Sequence, residues 1–270
     1  MDYDTVTTAS LLMEIGALDS LDYFTNSKLR CLFATEDSKA ESLEALAALL
    51  ASNGFKMSDT DIRPYSGCSK VDSAKVLREF LRDKAPNVKF VLHRDRDYMD
   101  DGLAANFETE IASIDAFPFL TDLSDVENYF LNADHIAALN PGITSTRAQE
   151  LIDEATTSTR DKSTTKLINL RTEAAIKAQK NGSAHDAGKL AIQAVTDYDA
   201  NPVKWRRGKI VFNELTILLQ KELKANPKLL GVSIHLQCPN LARARDAIWS
   251  STGKAKPIPI TVALAQKKKA

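Results

Sequence analysis

Between Leu29 and Thr121 the chain alternates short, nearly all-apolar runs with longer amphipathic stretches, a pattern few folds accommodate. Leu29–Thr35 (LRCLFAT) is a compact apolar run ending in Glu36-Asp37-Ser38, and Lys39–Ser52 (KAESLEALAALLAS) reads as a strong helix stopped by Asn53-Gly54. Asp61–Tyr65 (DIRPY) reads as a short strand despite Pro64, Ser66-Gly67-Cys68 as a turn, and Val71–Lys84 as a helix running to Ala85-Pro86. Val88–His93 (VKFVLH) supplies a third strand and Ala116–Thr121 (AFPFLT) a fourth, weakened by Pro118. Apolar strands alternating with helices imply a parallel sheet covered on both faces, hence the α/β class.

Beyond Asn132 the pattern turns helical, with helices expected over Arg147–Thr156, Thr165–Lys180, Ala187–Asp197 and Lys209–Lys224. The Ser/Thr-rich stretch Thr156–Thr165 and the Asn181-Gly182-Ser183 turn read as surface connections, and Val232–Leu236 as a final strand. Residues 1–28 form an expected N-terminal helix, with Leu11, Leu12, Ile15, Leu18 and Leu21 at three- and four-residue spacings. The expected organisation is therefore an N-terminal helix (1–28), an α/β core (29–132), a helical basic extension (133–256) and a basic tail (257–270).

Charge is divided unevenly. The 270 residues carry a formal charge of −1, yet Asn201–Ala270 holds 14 Lys+Arg against Glu214, Glu222 and Asp246, so it is +11 and Met1–Ala200 is −12. Asp95–Glu127 contains 10 acids and one base, Arg96. Such density repels phosphate unless divalent cations stand between, while the basic C-terminal segment attracts the same polyanion. Two solvated faces of opposite sign are the simpler alternative. The odd set Cys31, Cys68 and Cys238, without CxxC spacing, fits a reducing compartment. No stretch approaches the roughly 18 apolar residues of a membrane span, and MDYDTVTT lacks the basic opening of a signal peptide. The expectation is a cytoplasmic protein without a membrane partner.

In open parallel sheets ligands gather at the carboxyl ends of the strands. Three of the four runs end in acids: Glu36 and Asp37 after the first; Asp95 and Asp97 in His93-Arg94-Asp95-Arg96-Asp97 after the third; Asp122, Asp125 and Glu127 after the fourth. Carboxylate oxygens from separate strand ends suit magnesium, and two such ions can clamp the attacking and leaving oxygens of a phosphodiester. In an extended tail Asp95 and Asp97 would point the same way. Taken singly, Glu36 or Asp37 could serve as a helix N-cap and the Asp/Arg alternation as an ion-pair ladder. Their joint placement after successive strands favours a shared site.

LFATE ending at Glu36, followed by a helix and then VLHRDRD ending at Asp97, resembles the Toprim module of topoisomerases, primases and some nucleases. LSDVENYFLN, with Asp125 and Glu127, is similar to the acidic segment of the overcoming-lysogenization-defect (OLD) nucleases and their stand-alone Toprim relatives, partners of ABC-type ATPases in anti-phage defence. The resemblance covers Leu29 to about Asn132. It implies a Toprim-like parallel sheet flanked by helices with a mainly helical C-terminal extension. It further implies a Mg2+- or Mn2+-dependent nuclease with two ions held by Glu36, Asp95, Asp97, Asp125 and Glu127, with Glu36 also a candidate base. The basic residue that steadies transition-state charge in OLD-like nucleases matches Lys209 best, within WRRGK, and Arg206, Arg207 and Lys209 are the expected nucleic-acid contacts. A solvated basic helix start remains the alternative. An ABC-type ATPase in trans and an anti-phage role follow from the same resemblance, and a homodimer is compatible with it. One departure is that family members often carry Glu-Gly and an acid four positions after the Glu. Here Asp37 follows and Ala40 stands at that place, so either Asp37 or Glu41 substitutes or the second ion is held less fully.

Other chemistries fit poorly. The histidines at 93, 135, 185 and 235 lack HxxxH or HExxH spacing, no GxSxG occurs, and the Gly-Lys pairs lack the following Ser or Thr of a P-loop. Topoisomerase and primase activities need further modules that 270 residues house badly. The remaining alternative is a non-catalytic Toprim-like binding subunit whose acids recruit a basic partner.

Overall fold

In a computed structural model, residues 28–65, 71–179 and 186–249 are described. The N-terminal helix, the turns at Ser66-Gly67-Cys68 and Asn181-Gly182-Ser183, and the tail fall outside them. The elements run β1 (Cys31–Thr35), α1 (Ala40–Ser52), β2 (Thr60–Pro64), α2 (Val71–Lys84), β3 (Lys89–Arg94), α3 (Asp101–Ser113), β4 (Phe117–Leu120), α4 (Glu127–Phe130), α5 (Ala133–Leu139), α6 (Ser145–Ser158), α7 (Arg160–Gln179), α8 (Ala187–Ala200), α9 (Pro202–Trp205), α10 (Gly208–Leu223) and α11 (Pro239–Trp249). The strands form one all-parallel sheet in the order β2-β1-β3-β4. The α/β class, the flanked parallel sheet and the helical C-terminal region agree with the Toprim-like expectation.

The chain divides into two compact units that interleave in sequence. Among the described residues, the first comprises 28–65, 71–94, 99–120 and 237–249 and holds the sheet; the second comprises 95–98, 121–179 and 186–236. The boundary expected after Asn132 thus falls at Thr121, and the C-terminal helix α11 belongs with the sheet.

In the sheet unit β1 is buried along its whole length, because a central parallel strand has helices on both faces. Pro64 and Pro118 are tolerated because β2 and β4 are the edge strands, where a missing N–H leaves no internal ladder bond empty. One face packs Leu32, Phe90 and Leu92 against Leu77, Leu81, Phe107 and Ile111. On the other, His93 lies between Phe33 and Phe119, with ring centroids at 5.9 and 5.2 Å, and its Nδ1 is 2.8 Å from Thr35 Oγ1. This placement makes His93 a core residue. The helix α1 stops at Asn53, followed by Gly54 at φ +80°, as the Asn-Gly pair predicts.

Three sequence expectations are corrected. Residues 101–113, read only as acid-rich, form α3: Asp100 accepts the N–H of Leu103, and Ala104, Phe107 and Ile111 face inward at helical spacing. Thr156–Thr165 is not a surface connection, since α6 runs to Ser158 and α7 starts at Arg160. Its hydroxyls return to the helix: those of Thr156, Thr159 and Thr164 donate to the carbonyls of Ile152, Ala155 and Arg160 at 2.7–2.9 Å. Val232–Leu236 is irregular rather than a strand, with Val232 and Ile234 exposed.

The helical unit closes around Leu131, Ile136, Leu151, Ile152, Val211, Leu215 and Leu219, from α5, α6, α10 and the segment before α5. Among the described residues no helix is long and apolar enough to cross a membrane.

Candidate carboxylate site

Asp95, Asp97, Asp125, Glu127 and Lys209 all belong to the helical unit. Asp95 follows β3 directly and is 5% exposed. Its Oδ1 accepts the Val126 N–H at 3.2 Å and its Oδ2 lies 3.3 Å from Lys209 Nζ. Glu127 opens α4, and its Oε2 stands 4.0 Å from the same ammonium. Asp125, 3% exposed, accepts the backbone N–H of Lys209 at 3.2 Å through Oδ2 and the Asn128 amide at 2.9 Å through Oδ1. Two buried carboxylates and the partly buried Glu127 therefore converge on the first turn of α10, whose N–H groups and dipole favour negative charge.

Asp97 departs from the expected geometry. Its φ of +49° turns the chain, so Asp95 and Asp97 do not alternate along an extended tail, and Asp97 stays exposed. Its N–H donates to the Ser124 carbonyl at 2.7 Å, which ties the turn to the Asp125 segment.

The electrostatics follow from burial. Desolvation, with the charge of Asp95 second, pushes Asp125 up to about 6 despite the opposing hydrogen bond and charge of Lys209. Desolvation pushes Glu127 up to about 7, with Lys209 opposing and Asp125 and Asp95 adding. Asp97 is raised too, by desolvation and then Asp95, against the charges of Arg207, Lys209 and Lys166. Its exposure lets solvent screen that shift. One ammonium does not balance these acids.

Three residues that sequence reasoning passed over hold the site together. Ser124 Oγ donates to the Arg206 carbonyl at 3.0 Å and accepts the Gly208 N–H at 3.3 Å. Asn128 Nδ2 donates to Ser124 Oγ and Asp125 Oδ1, both at 2.9 Å. Gly208 lets α10 approach: a Cβ there would overlap Asp125 Oδ1 and lie 2.6 Å from the Asn128 backbone nitrogen. A glycine directly before the candidate lysine, and an Asn three residues after Asp125, were the available signals.

Arg206 is corrected. Instead of meeting a nucleic acid from the surface, it is 4% exposed, donating from Nε to Asn128 Oδ1 at 3.1 Å and from Nη1 to Thr156 Oγ1 at 3.2 Å. Burial lowers its pKa. Arg206→Met should cost about 2–3 kcal/mol by leaving two buried acceptors unmet; equal melting temperatures for variant and parent would contradict this role. Arg207 remains half-exposed, its N–H donating to Ser163 Oγ at 3.2 Å.

Glu36 is exposed at the end of β1, within the sheet unit. The N-cap of α1 is Lys39, without a side-chain cap bond, so neither Glu36 nor Asp37 fills that role.

Among the described residues no group of three Asp, Glu, His or Cys side chains is disposed to hold a metal ion as it stands. The ammonium of Lys209 occupies the space between Asp95 and Glu127. The donor chemistry nevertheless suits a hard cation: all are carboxylates, and Glu127 Oε2 is buried without a hydrogen bond. No family model, curated protein or solved structure matches this chain.

Proposed function

We propose that the chain is a divalent-metal-dependent nuclease working at the Asp95, Asp125 and Glu127 cluster with Lys209. The observation carrying this reading is the convergence of Asp95 and Glu127 on the Lys209 ammonium and of buried Asp125 on the Lys209 backbone N–H, with a buried Glu127 oxygen lacking a hydrogen bond. Buried acids that repel one another are costly to keep for structure alone and suit a site built for cations.

Asp95, Asp125 and Glu127, with Asp97 at the rim, would hold Mg2+ or Mn2+. A bound ion of this kind lowers the pKa of water and withdraws charge from a phosphodiester. Lys209, whose ammonium lies 3.3 Å from Asp95, would stand against the charge that develops on the phosphate. The backbone N–H of Lys209 holds Asp125, and Asn128 fixes that carboxylate from the other side. The resemblance adds Glu36 as a ligand or base, an ABC-type ATPase as partner and a role in anti-phage defence.

The test incubates purified protein with plasmid DNA and with total RNA at millimolar Mg2+ or Mn2+, beside Glu36→Ala, Asp95→Asn and Lys209→Ala. Metal-dependent cutting, abolished in the first two and lowered about 10²–10³-fold in the third, is expected. Full activity in Asp95→Asn would overturn the reading. The Lys209–Asp95 pair at 3.3 Å favours a second reading, a non-catalytic binding subunit in which that ion pair is permanent. The absence of both cutting and metal binding would support it.

A further inference from the structure

In the helical unit a cavity of about 520 Å³ is lined by Lys162, Thr165, Lys166 and Asn169 of α7 and by Arg207 and Ile210 at the start of α10, with Asp161 at its edge. Residues 162, 166 and 169 recur at helical spacing, so they share one face, with about 6 Å of rise between the two lysines. Neighbouring like charges at that spacing weaken a helix unless something neutralises them.

Three other arginines of this unit have acidic partners. Arg147 meets Glu222 at 3.0 Å and Glu150 at 2.8 Å; Arg160 meets Asp199 at 2.8 Å; Arg171 meets Asp197 at 2.7 Å. Asp161, the one acid on the lining, is turned to Arg160 at 3.2 Å. Among the described residues no carboxylate lies within ion-pair distance of Lys162, Lys166 or Arg207. The cavity therefore presents three cations, a hydroxyl and an amide to solvent. Arg207 immediately precedes Gly208-Lys209, and both Lys166 and Arg207 act electrostatically on Asp97, so the cavity adjoins the carboxylate site.

We propose that this cavity is a phosphodiester-binding groove, in which Lys162, Lys166, Asn169 and Arg207 grip the backbone of a polynucleotide strand beside the carboxylate cluster. The proposal deepens the nuclease reading and rests on it for the identity of the ligand as a substrate. Lysines and an arginine fork with a neighbouring amide suit successive phosphates, and no aromatic side chain lines the cavity to stack a base. The groove thus reads backbone rather than sequence.

The test measures fluorescence anisotropy of labelled single-stranded DNA and RNA oligonucleotides in EDTA, so that neither hydrolysis nor metal enters, across a salt series. Lys162→Gln/Lys166→Gln keeps the alkyl stems and removes two charges. It should weaken binding at least tenfold at low salt and flatten the log K against log salt slope by about 1.4, two contacts at about 0.7 each for single strands. Lys189→Gln/Lys221→Gln, exposed lysines away from the cavity lining, should leave the slope unchanged. An unchanged slope in the groove variant, equal losses in both variants, or no binding of either oligonucleotide by the parent chain overturns the groove. If the groove variant loses binding while the parent chain cuts nothing with Mg2+ or Mn2+, the groove stands and the nuclease reading falls. If the parent chain cuts and the groove variant keeps its slope, the nuclease reading stands and the groove falls. The DNA and RNA arms separate the two sources of the phosphodiester.

Discussion

Glu127→Gln should make the metal-free protein more stable at pH 8 and leave it unchanged near pH 5. Glu127 is pushed up to about 7 by desolvation. Its folded pKa exceeds the unfolded value, so the stability tied to its proton is present below about 4.5 and is lost as pH rises through 7. Above pH 7 the buried charge weakens the fold by up to about 3 kcal/mol, and a neutral Gln escapes that cost. Loss of the attraction to Lys209, 4.0 Å away, offsets part of the gain. A net rise of about 2–6 °C in melting temperature at pH 8, with none at pH 5, is expected from thermal melts in EDTA. The same substitution removes a proposed ligand, so metal-dependent cleavage should fall about a hundredfold or more. Stability and activity moving in opposite directions is the mark of a carboxylate kept for binding; a variant less stable at both pH values would show Glu127 to be structural.

Gly208→Ala carries the largest expected loss. A new methyl group would meet Asp125 Oδ1, a carboxylate already held by two hydrogen bonds, and the backbone nitrogen of Asn128, which cannot rotate away. The start of α10 must withdraw, stretching the Gly208 N–H to Ser124 and Lys209 N–H to Asp125 contacts. Overpacking and two weakened hydrogen bonds together cost about 3–5 kcal/mol. Displacing Lys209 by even about 1 Å should lower cleavage a further 10²-fold or so in whatever folded protein remains. Gly102→Ala serves as the control, since its added Cβ meets only the Asp100 carboxylate at 3.2 Å on an exposed helix start. Equal melting curves for Gly208→Ala and the parent chain would show that α10 does not depend on that close approach.

Much of the sheet was legible because largely apolar runs of five to seven residues bounded by Gly, Pro and acids leave little freedom. The strand positions agree with the sequence to within two residues, and α2 agrees at both ends. The helix α3 was not legible because Asp101, Glu108 and Glu110 dominate its sequence and only Ala104, Phe107 and Ile111 mark the inward face. Thr156–Thr165 misled through composition: the hydroxyls that favour loops in isolation bond back to helix carbonyls once buried. The interleaved units were illegible from local pattern, since the return of Pro239–Trp249 to the sheet unit depends on contacts such as the Cys238 N–H to Asn53 Oδ1 bond at 2.8 Å.

Within the candidate site, the strand-end acids and Lys209 were visible as residue types at meaningful places. Arg206 and Asp97 were not, because a basic triplet does not reveal which member turns inward, and an Asp-Arg-Asp repeat does not reveal a left-handed residue at its end. Gly208 shows the limit most clearly: its importance lies in a distance to Asp125, 83 residues away in sequence.

The central claim is that the Asp95, Asp125 and Glu127 cluster binds a divalent cation, and calorimetric titration of Mn2+ into the protein between pH 5.5 and pH 8 tests it most directly. Deprotonated carboxylates are required, so with Asp125 near 6 and Glu127 near 7 in the metal-free fold, binding should strengthen steeply across this range and release protons near its middle. Asp95→Asn should abolish it. Binding at pH 8 that is lost in Asp95→Asn and weakened at pH 5.5 is the predicted result; no binding at pH 8, or binding indifferent to Asp95, would contradict the account.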